Sequence, residues 1–185
     1  MMNKTNVRNM TITGLLTAIS ILIPMLPLRV ILPPAFTATL AVHVPVMVSM
    51  FVSPFSAAFV AIGSAIGFGF TGLPPTVTAR AATHIVFAVV GALMIRKQFH
   101  GILGNKIVKV VVVGIVTMIL HAGFEALITI PAMRLFTGYD GAAIYAAATT
   151  VGIGTLLHHA VDYMITIVII SALADAKLID WTWKR

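Results

Sequence analysis

Long apolar runs, each ended by proline, glycine or a basic cluster, set the frame of this chain. The runs over 10–23, 40–52, 55–70, 78–95, 108–130 and 149–174 predict six helices. Pro24 and Pro27 stop the first, Pro54 parts the second from the third, and Gly72-Leu73-Pro74-Pro75 breaks the third from the fourth. The fifth either ends at Pro131 or runs past it. A full crossing of the hydrocarbon takes about 20 residues, so the first two runs need tilt, loops or neighbours to complete a span. Between them lies a stretch over 25–39, carrying Arg29 and Pro33-Pro34, that predicts a long irregular connection. No repeat and no linker interrupts the pattern, so residues 1–185 read as a single domain.

Polar positions inside the apolar runs are few and regularly spaced. Arg80 and His84 stand four apart in the fourth run, His121 and Glu125 four apart in the fifth, and His158 and Asp162 four apart in the sixth, beside His159. Residues four apart share one helical face. Polar side chains at membrane depth turn toward the bundle interior, so the last three helices are expected to share one polar seam. Small residues form a second pattern. Gly14 and Ala18 make a small-xxx-small step on helix one that admits a close helical partner, while Gly63, Gly67, Gly69, Gly152 and Gly154 read as packing positions.

Composition turns these runs into membrane spans. Hydrophobic residues are 59% of the chain and charged residues 9%, far below the quarter or so of a soluble domain. The fold class is therefore an all-α integral membrane protein, a six-transmembrane-helix bundle with a long external loop between helices 1 and 2. The net charge of +7 does not point to nucleic acid, because the basic residues cluster at the ends of apolar runs. With both termini cytoplasmic, nine basic residues fall inside (Lys4, Arg8, Arg96, Lys97, Lys106, Lys109, Lys177, Lys184, Arg185) and two outside (Arg29, Arg134). The first run follows Lys4 and Arg8 as a signal peptide would, but no small-x-small cleavage site precedes Pro24, so it is expected to remain part of the fold. Without cysteine there is no disulfide or thiolate chemistry.

Arg80 is the most demanding residue. A guanidinium stays charged, and placing it in hydrocarbon costs at least about 2.5–3.5 kcal/mol. It falls in the first turn of helix four, in the outer half of the membrane, where free N–H groups and His84 join it in suiting a carboxylate or phosphate. Two other readings stay open: a structural pair with Glu125, or a side chain reaching out to the interface. Counting inward puts His121 and His158 near mid-membrane, Glu125 in the outer half and Asp162 in the inner half. Asp162 reads as interhelical glue, and His121 with Glu125 fits glue and ligand contact equally. Phe36 and His43 border the outer stretch and could cap a pocket, while taken alone His43 reads as a satisfied interfacial residue. The four-residue spacing of His121, Glu125, His158 and Asp162 also allows a membrane-embedded, metal-dependent hydrolase, yet Arg80 beside them would repel a cation. No metal and no cofactor is expected, and no phosphate loop, nucleophile elbow or His-Glu-x-x-His pattern appears.

These features together resemble a known family. Six helices in under 200 residues, the external segment, the Gly14-xxx-Ala18 step, the run Leu32-Pro33-Pro34-Ala35-Phe36 through His43-Val44-Pro45, and Ala79-Arg80-Ala81-Ala82-Thr83-His84 are similar to the substrate-binding S components of energy-coupling-factor (ECF) vitamin transporters, the niacin and pantothenate members above all. Gly14 stands where the family's motif has alanine, which keeps the surface small. Met1-Met2-Asn3 lacks the Met-His start of the cobalt and nickel members. The resemblance implies a subunit with no catalysis of its own. It would take a vitamin from outside into a pocket beneath the loop between helices one and two. Through Gly14 and Ala18 it would dock on a transmembrane scaffold (T) subunit with two ATPase subunits, and topple to release its cargo. On that reading Arg80 receives the vitamin's carboxylate, and His84, His121 and His158 bond its other polar groups. Phe36, Phe68 and Phe124 form apolar walls, and Glu125 orients Arg80 or accepts from the substrate.

Overall fold

A computed structural model describes residues 4–33, 35–96 and 106–176. The order of elements is α1 (Lys4–Leu22), a 3₁₀ turn (Ile23–Met25), β1 (Arg29–Leu32), β2 (Phe36–Thr39), α2 (Val44–Met50), α3 (Pro54–Gly69), α4 (Pro75–Ala82), α5 (His84–Ile95), α6 (Lys106–Phe136) and α7 (Gly141–Asp175). Four helical stretches among these residues are long and apolar enough to cross a membrane: Asn6–Met25, Pro75–Ile95, Ile107–Phe136 and Gly141–Asp175. Helix α3 is apolar but shorter, and α2 has only seven residues. The basic segment 97–105 and the C-terminal lysines lie outside the described residues.

Proline and capping fix most boundaries. Pro24 ends α1 in a 3₁₀ turn, after which Leu26 is extended. Ser53 caps α3, its hydroxyl accepting from the Ser56 amide at 3.0 Å, and Pro54 opens that helix where its missing N–H is harmless. Pro131 does not end α6, which runs on to Phe136. Inside a bundle a proline's freed carbonyl finds other partners, so the helix survives it. Helix α7 begins at Gly141, eight residues ahead of the expected 149, which shortens the loop before it to 137–140.

Two expectations are corrected. The stretch 25–39 is not irregular, and the fold is not purely helical: β1 and β2 pair antiparallel, with Arg29 opposite Thr39 and Leu32 opposite Phe36. Val30, Ile31, Thr37 and Thr39 are β-branched and supply the strand preference. The fourth helix is also broken. Thr83 donates both its amide (2.9 Å) and its hydroxyl (2.7 Å) to the Arg80 carbonyl, which tightens the chain between α4 and α5. Because Pro75 starts α4, Arg80 sits in that helix's last turn and not its first, so the free amides of the helix start are too far away to assist it.

Glycines set the helix spacing. An added Cβ at Gly63 would lie 2.5 Å from the Thr17 methyl, and one at Gly67 would lie 2.6 Å from the Ile21 carbonyl oxygen, so α1 rests directly on α3. Gly69 faces open space. The main core, around Met47, Val60 and Phe87, fills the space among α2, α3, α5, α6 and α7. Leu15, Ile19, Ile62, Ile119, Leu157 and Val168 are exposed, an apolar exterior that suits lipid.

Candidate functional site

The hairpin β1–β2 covers a small cavity whose floor is the polar seam of α4 to α7. Phe36, Thr37, Val42, Phe68, Val77, Arg80, His84, Glu125, Thr155 and His158 line it. Three polar stripes at helical spacing supply the seam. Thr76, Arg80 and His84 lie on α4 and α5; Thr117, His121, Glu125 and Thr129 on α6; Thr155, His159, Asp162 and Thr166 on α7. All are buried. The shared face expected for the last three helices is observed.

Arg80 is 4% exposed and faces the cavity. Its Nε and Nη2 both donate to Glu125 Oε2, at 3.3 and 2.8 Å. Nη1 donates to the Ala35 carbonyl at 3.1 Å and to Thr37 Oγ1 at 3.4 Å, and Nη2 also reaches the Thr37 carbonyl at 3.4 Å. The Phe36 ring lies 5.9 Å from the guanidinium carbon, on the inner face of the hairpin. Phe36 in turn sits against Gly154, where a Cβ would come within 2.5 Å of the ring. One cation thus ties the hairpin to α6. The pairing with Glu125 held open from the sequence is present, while Arg80 turns inward and does not reach the interface.

Glu125 gathers the rest. Its Oε2 accepts from Thr155 Oγ1 at 2.6 Å, and its Oε1 lies 3.2 Å from His84 Nε2 and 3.5 Å from His121 Nε2. His43 is 4% exposed, not interfacial as read from the sequence. It stands 3.3 Å from His84 Nε2 through its own Nε2 and 3.0 Å from Asp162 Oδ2 through Nδ1. Asp162 also accepts from the backbone amides of Ala41 and His43, each at 3.1 Å, so it holds the chain where α2 begins, at a left-handed Ala41 with φ of 62°. That is the interhelical tie expected of it. His158 Nε2 approaches Asp162 Oδ2 at 3.2 Å.

Not every expected residue arrives. Phe124 is 39% exposed on the outer face of α6 and does not line the cavity, because Glu125 beside it already takes the inward direction. His121 is buried behind Glu125 and does not line it either. Gly14 and Ala18 are exposed on α1, away from the site, with nothing within 4 Å of a Cβ at Gly14. Sequence reasoning passed over Thr155, Thr37 and the bond from His43 to Asp162, although it did place His43 with Phe36 as a candidate cap, and both line the cavity. Thr155 was within reach, since it stands four residues before His159 and seven before Asp162 on one face of α7.

The site is a buried cation held among carbonyls, hydroxyls and one carboxylate under a hairpin of two four-residue strands. It has the makings of a binding site within a membrane-embedded transport protein. No family model matches the chain, and no solved structure matches it. Among curated proteins, the chain is 36% identical over 179 residues to the niacin transporter NiaX of Lactococcus lactis subsp. cremoris (strain MG1363), an alignment covering 96% of this chain and 79% of that protein. The chain belongs to the family of this transporter, an S component of ECF-type vitamin uptake systems. Family membership sets the hydrolase reading aside.

Proposed function

We propose that this protein is the niacin-binding S component of an ECF transporter, and that Arg80 receives the carboxylate of nicotinate. The observation that carries this reading is the set of bonds from Arg80 to Ala35 and Thr37. A guanidinium whose donors end on hairpin carbonyls and a hydroxyl can exchange those weak acceptors for a carboxylate, gaining two charge-assisted bonds. The open volume beneath the hairpin is about 20 Å³, room for about one water molecule. Nicotinate therefore requires the hairpin to swing outward, which releases Arg80 as it opens the space. Phe36 and Phe68 flank the pyridine ring, His84 and His158 lie within reach of its nitrogen, and Glu125 fixes the orientation of Arg80.

The rest of the proposal extends this reading to topology and partners. Six spans with both termini cytoplasmic agree with the distribution of basic residues, provided α2 and α3 complete the two spans that fall short. The exposed face of α1, with Gly14 and Ala18 at its centre, docks on the scaffold subunit, and two ATPase subunits supply the energy.

A thermal-unfolding screen of the purified protein tests the substrate assignment. Nicotinate should raise the melting temperature by mass action on the folded state. Nicotinamide, which has the same ring without the charge, should not, and pantothenate serves as an anionic control of different shape. Equal shifts with nicotinate and nicotinamide would show that the charge is not what is recognised.

A further inference from the structure

We propose that His43 Nε2, His84 Nε2, His121 Nε2 and Glu125 Oε1 form a tetrahedral site for a zinc-class divalent metal ion beneath the cavity. These four atoms lie within 4.8 Å of one another and belong to buried side chains. Zinc bonds nitrogen and oxygen at about 2.0–2.2 Å, so the edges of its tetrahedron are roughly 3.3–3.6 Å long. Three edges of this cluster measure 3.3 Å (His43 to His84), 3.2 Å (His84 to Glu125) and 3.5 Å (His121 to Glu125).

The hydrogen-bond network decides where the ring protons are, and it leaves the centre of the cluster electron-rich. Thr117 donates its hydroxyl hydrogen to the Val113 carbonyl at 2.7 Å, so toward His159 its oxygen can only accept. His159 Nε2, at 3.2 Å, must therefore be the donor to Thr117, which makes His159 Nδ1 the acceptor of its 2.9 Å bond with His121 Nδ1. His121 then carries its proton on Nδ1 and turns a bare Nε2 toward Glu125 Oε1. That nitrogen has no hydrogen-bond partner among the described residues. On the other side, Asp162 takes the Nδ1 proton of His43 and leaves its Nε2 bare as well. Two lone-pair nitrogens and a carboxylate oxygen converge on His84 Nε2, which can offer one proton at most. Buried acceptors facing each other are costly, and a cation at their centre removes the conflict.

Two of the three histidines have the surroundings of metal ligands, while His84 keeps a buried Nδ1 with no hydrogen-bond partner among the described residues. A ligating histidine normally gives its other ring nitrogen to a carboxylate or similar partner, which fixes the tautomer. Asp162 does this for His43 and His159 for His121, while Arg80 and Thr155 occupy the second oxygen of Glu125. Arg80 does not repel the ion from close range, because Glu125 stands between the two. Charge supports the same assignment, and this step alone rests on the nicotinate reading. One guanidinium against two carboxylates leaves the cluster one negative charge in excess; a divalent ion turns that into one positive, and a monocarboxylate cancels it. An anion entering without the ion would deepen the excess negative charge, which membrane depth disfavours.

Tag-free protein, stripped with chelator and titrated with cobalt(II), tests the proposal. One equivalent per chain should bind and give the strong visible absorption of tetrahedral cobalt, displaced by zinc. Elemental analysis of protein purified without chelator should find the native ion at the same stoichiometry. His121→Gln and His43→Gln should each lower cobalt affinity at least tenfold, whereas His100→Gln, outside the four ligands and the cavity residues named above, should bind like the wild type. Absence of a tetrahedral spectrum in the folded wild type overturns the site, as does a His121→Gln variant that keeps full affinity. Nicotinate binding without cobalt uptake ends this inference and leaves the vitamin reading intact; cobalt uptake without nicotinate binding does the reverse.

Discussion

Helix α1 and the α4–α5 span are both apolar enough to cross a membrane, yet the fold uses them in opposite ways. Only 17% of the spanning window of α1 is buried within the chain, against 44% for α4–α5. Helix α1 meets α3 through the glycines of α3 and leaves Met10, Gly14, Leu15, Ala18, Ile19 and Leu22 bare. The α4–α5 span breaks at Thr83 and turns Arg80 and His84 inward, where both are almost wholly buried. The first therefore has spare surface for lipid or a partner helix, and the second has spare chemistry for a ligand. Burial, not hydropathy, tells the two roles apart.

The largest effect is expected at the buried ion pair. Arg80→Ala leaves the buried Glu125 carboxylate without its cation and should cost about 3–5 kcal/mol of stability. The paired change Arg80→Met with Glu125→Leu removes both charges and should recover most of that loss in thermal unfolding. A single variant as stable as the wild type would mean that the pair is solvated. Next comes Asp162→Ala, which strips the acceptor from the Ala41 and His43 amides and should cost about 1.5–3 kcal/mol.

Gly154→Ala is expected to cost about 1–3 kcal/mol, because the new methyl meets the Phe36 ring. Its discriminating readout is proteolysis within the hairpin, which should quicken as Phe36 is pushed from its seat. The smallest change in stability belongs to the bare face. Gly14→Leu should alter unfolding by no more than about 0.5 kcal/mol. Co-purification with the scaffold and ATPase subunits should nonetheless be lost. If that assembly survives, the face of α1 has another purpose.

Much of the seam was legible because polar residues in apolar helices are few, and their four-residue spacing names the face they share. Thr117, His121, Glu125 and Thr129 trace that face along α6 without further information. The hairpin was not legible: two prolines at 33 and 34 look like a breaker in an irregular stretch, and the β-branched residues on either side make strands of only four residues, too short a pattern to stand out without the cover they form over Arg80. The direction of Phe124 was missed for a related reason. Adjacent residues on a helix diverge by about 100°, so assigning Glu125 inward already turned Phe124 toward the outside. The break at Thr83 has no strong sequence mark, since threonines elsewhere sit inside unbroken helices with the same kind of hydroxyl bond, and only the Thr83 amide, bonding three residues back to Arg80, sets it apart.

The most direct measurement is calorimetric titration of nicotinate into the wild type and into the Arg80→Met/Glu125→Leu variant, chosen because removing both charges together is expected to spare the fold. The variant should lose about 1.5–3 kcal/mol of binding free energy, which is roughly tenfold to somewhat over a hundredfold in Kd. Unchanged affinity in a folded variant would show that the buried guanidinium is a structural strut and that the vitamin binds elsewhere.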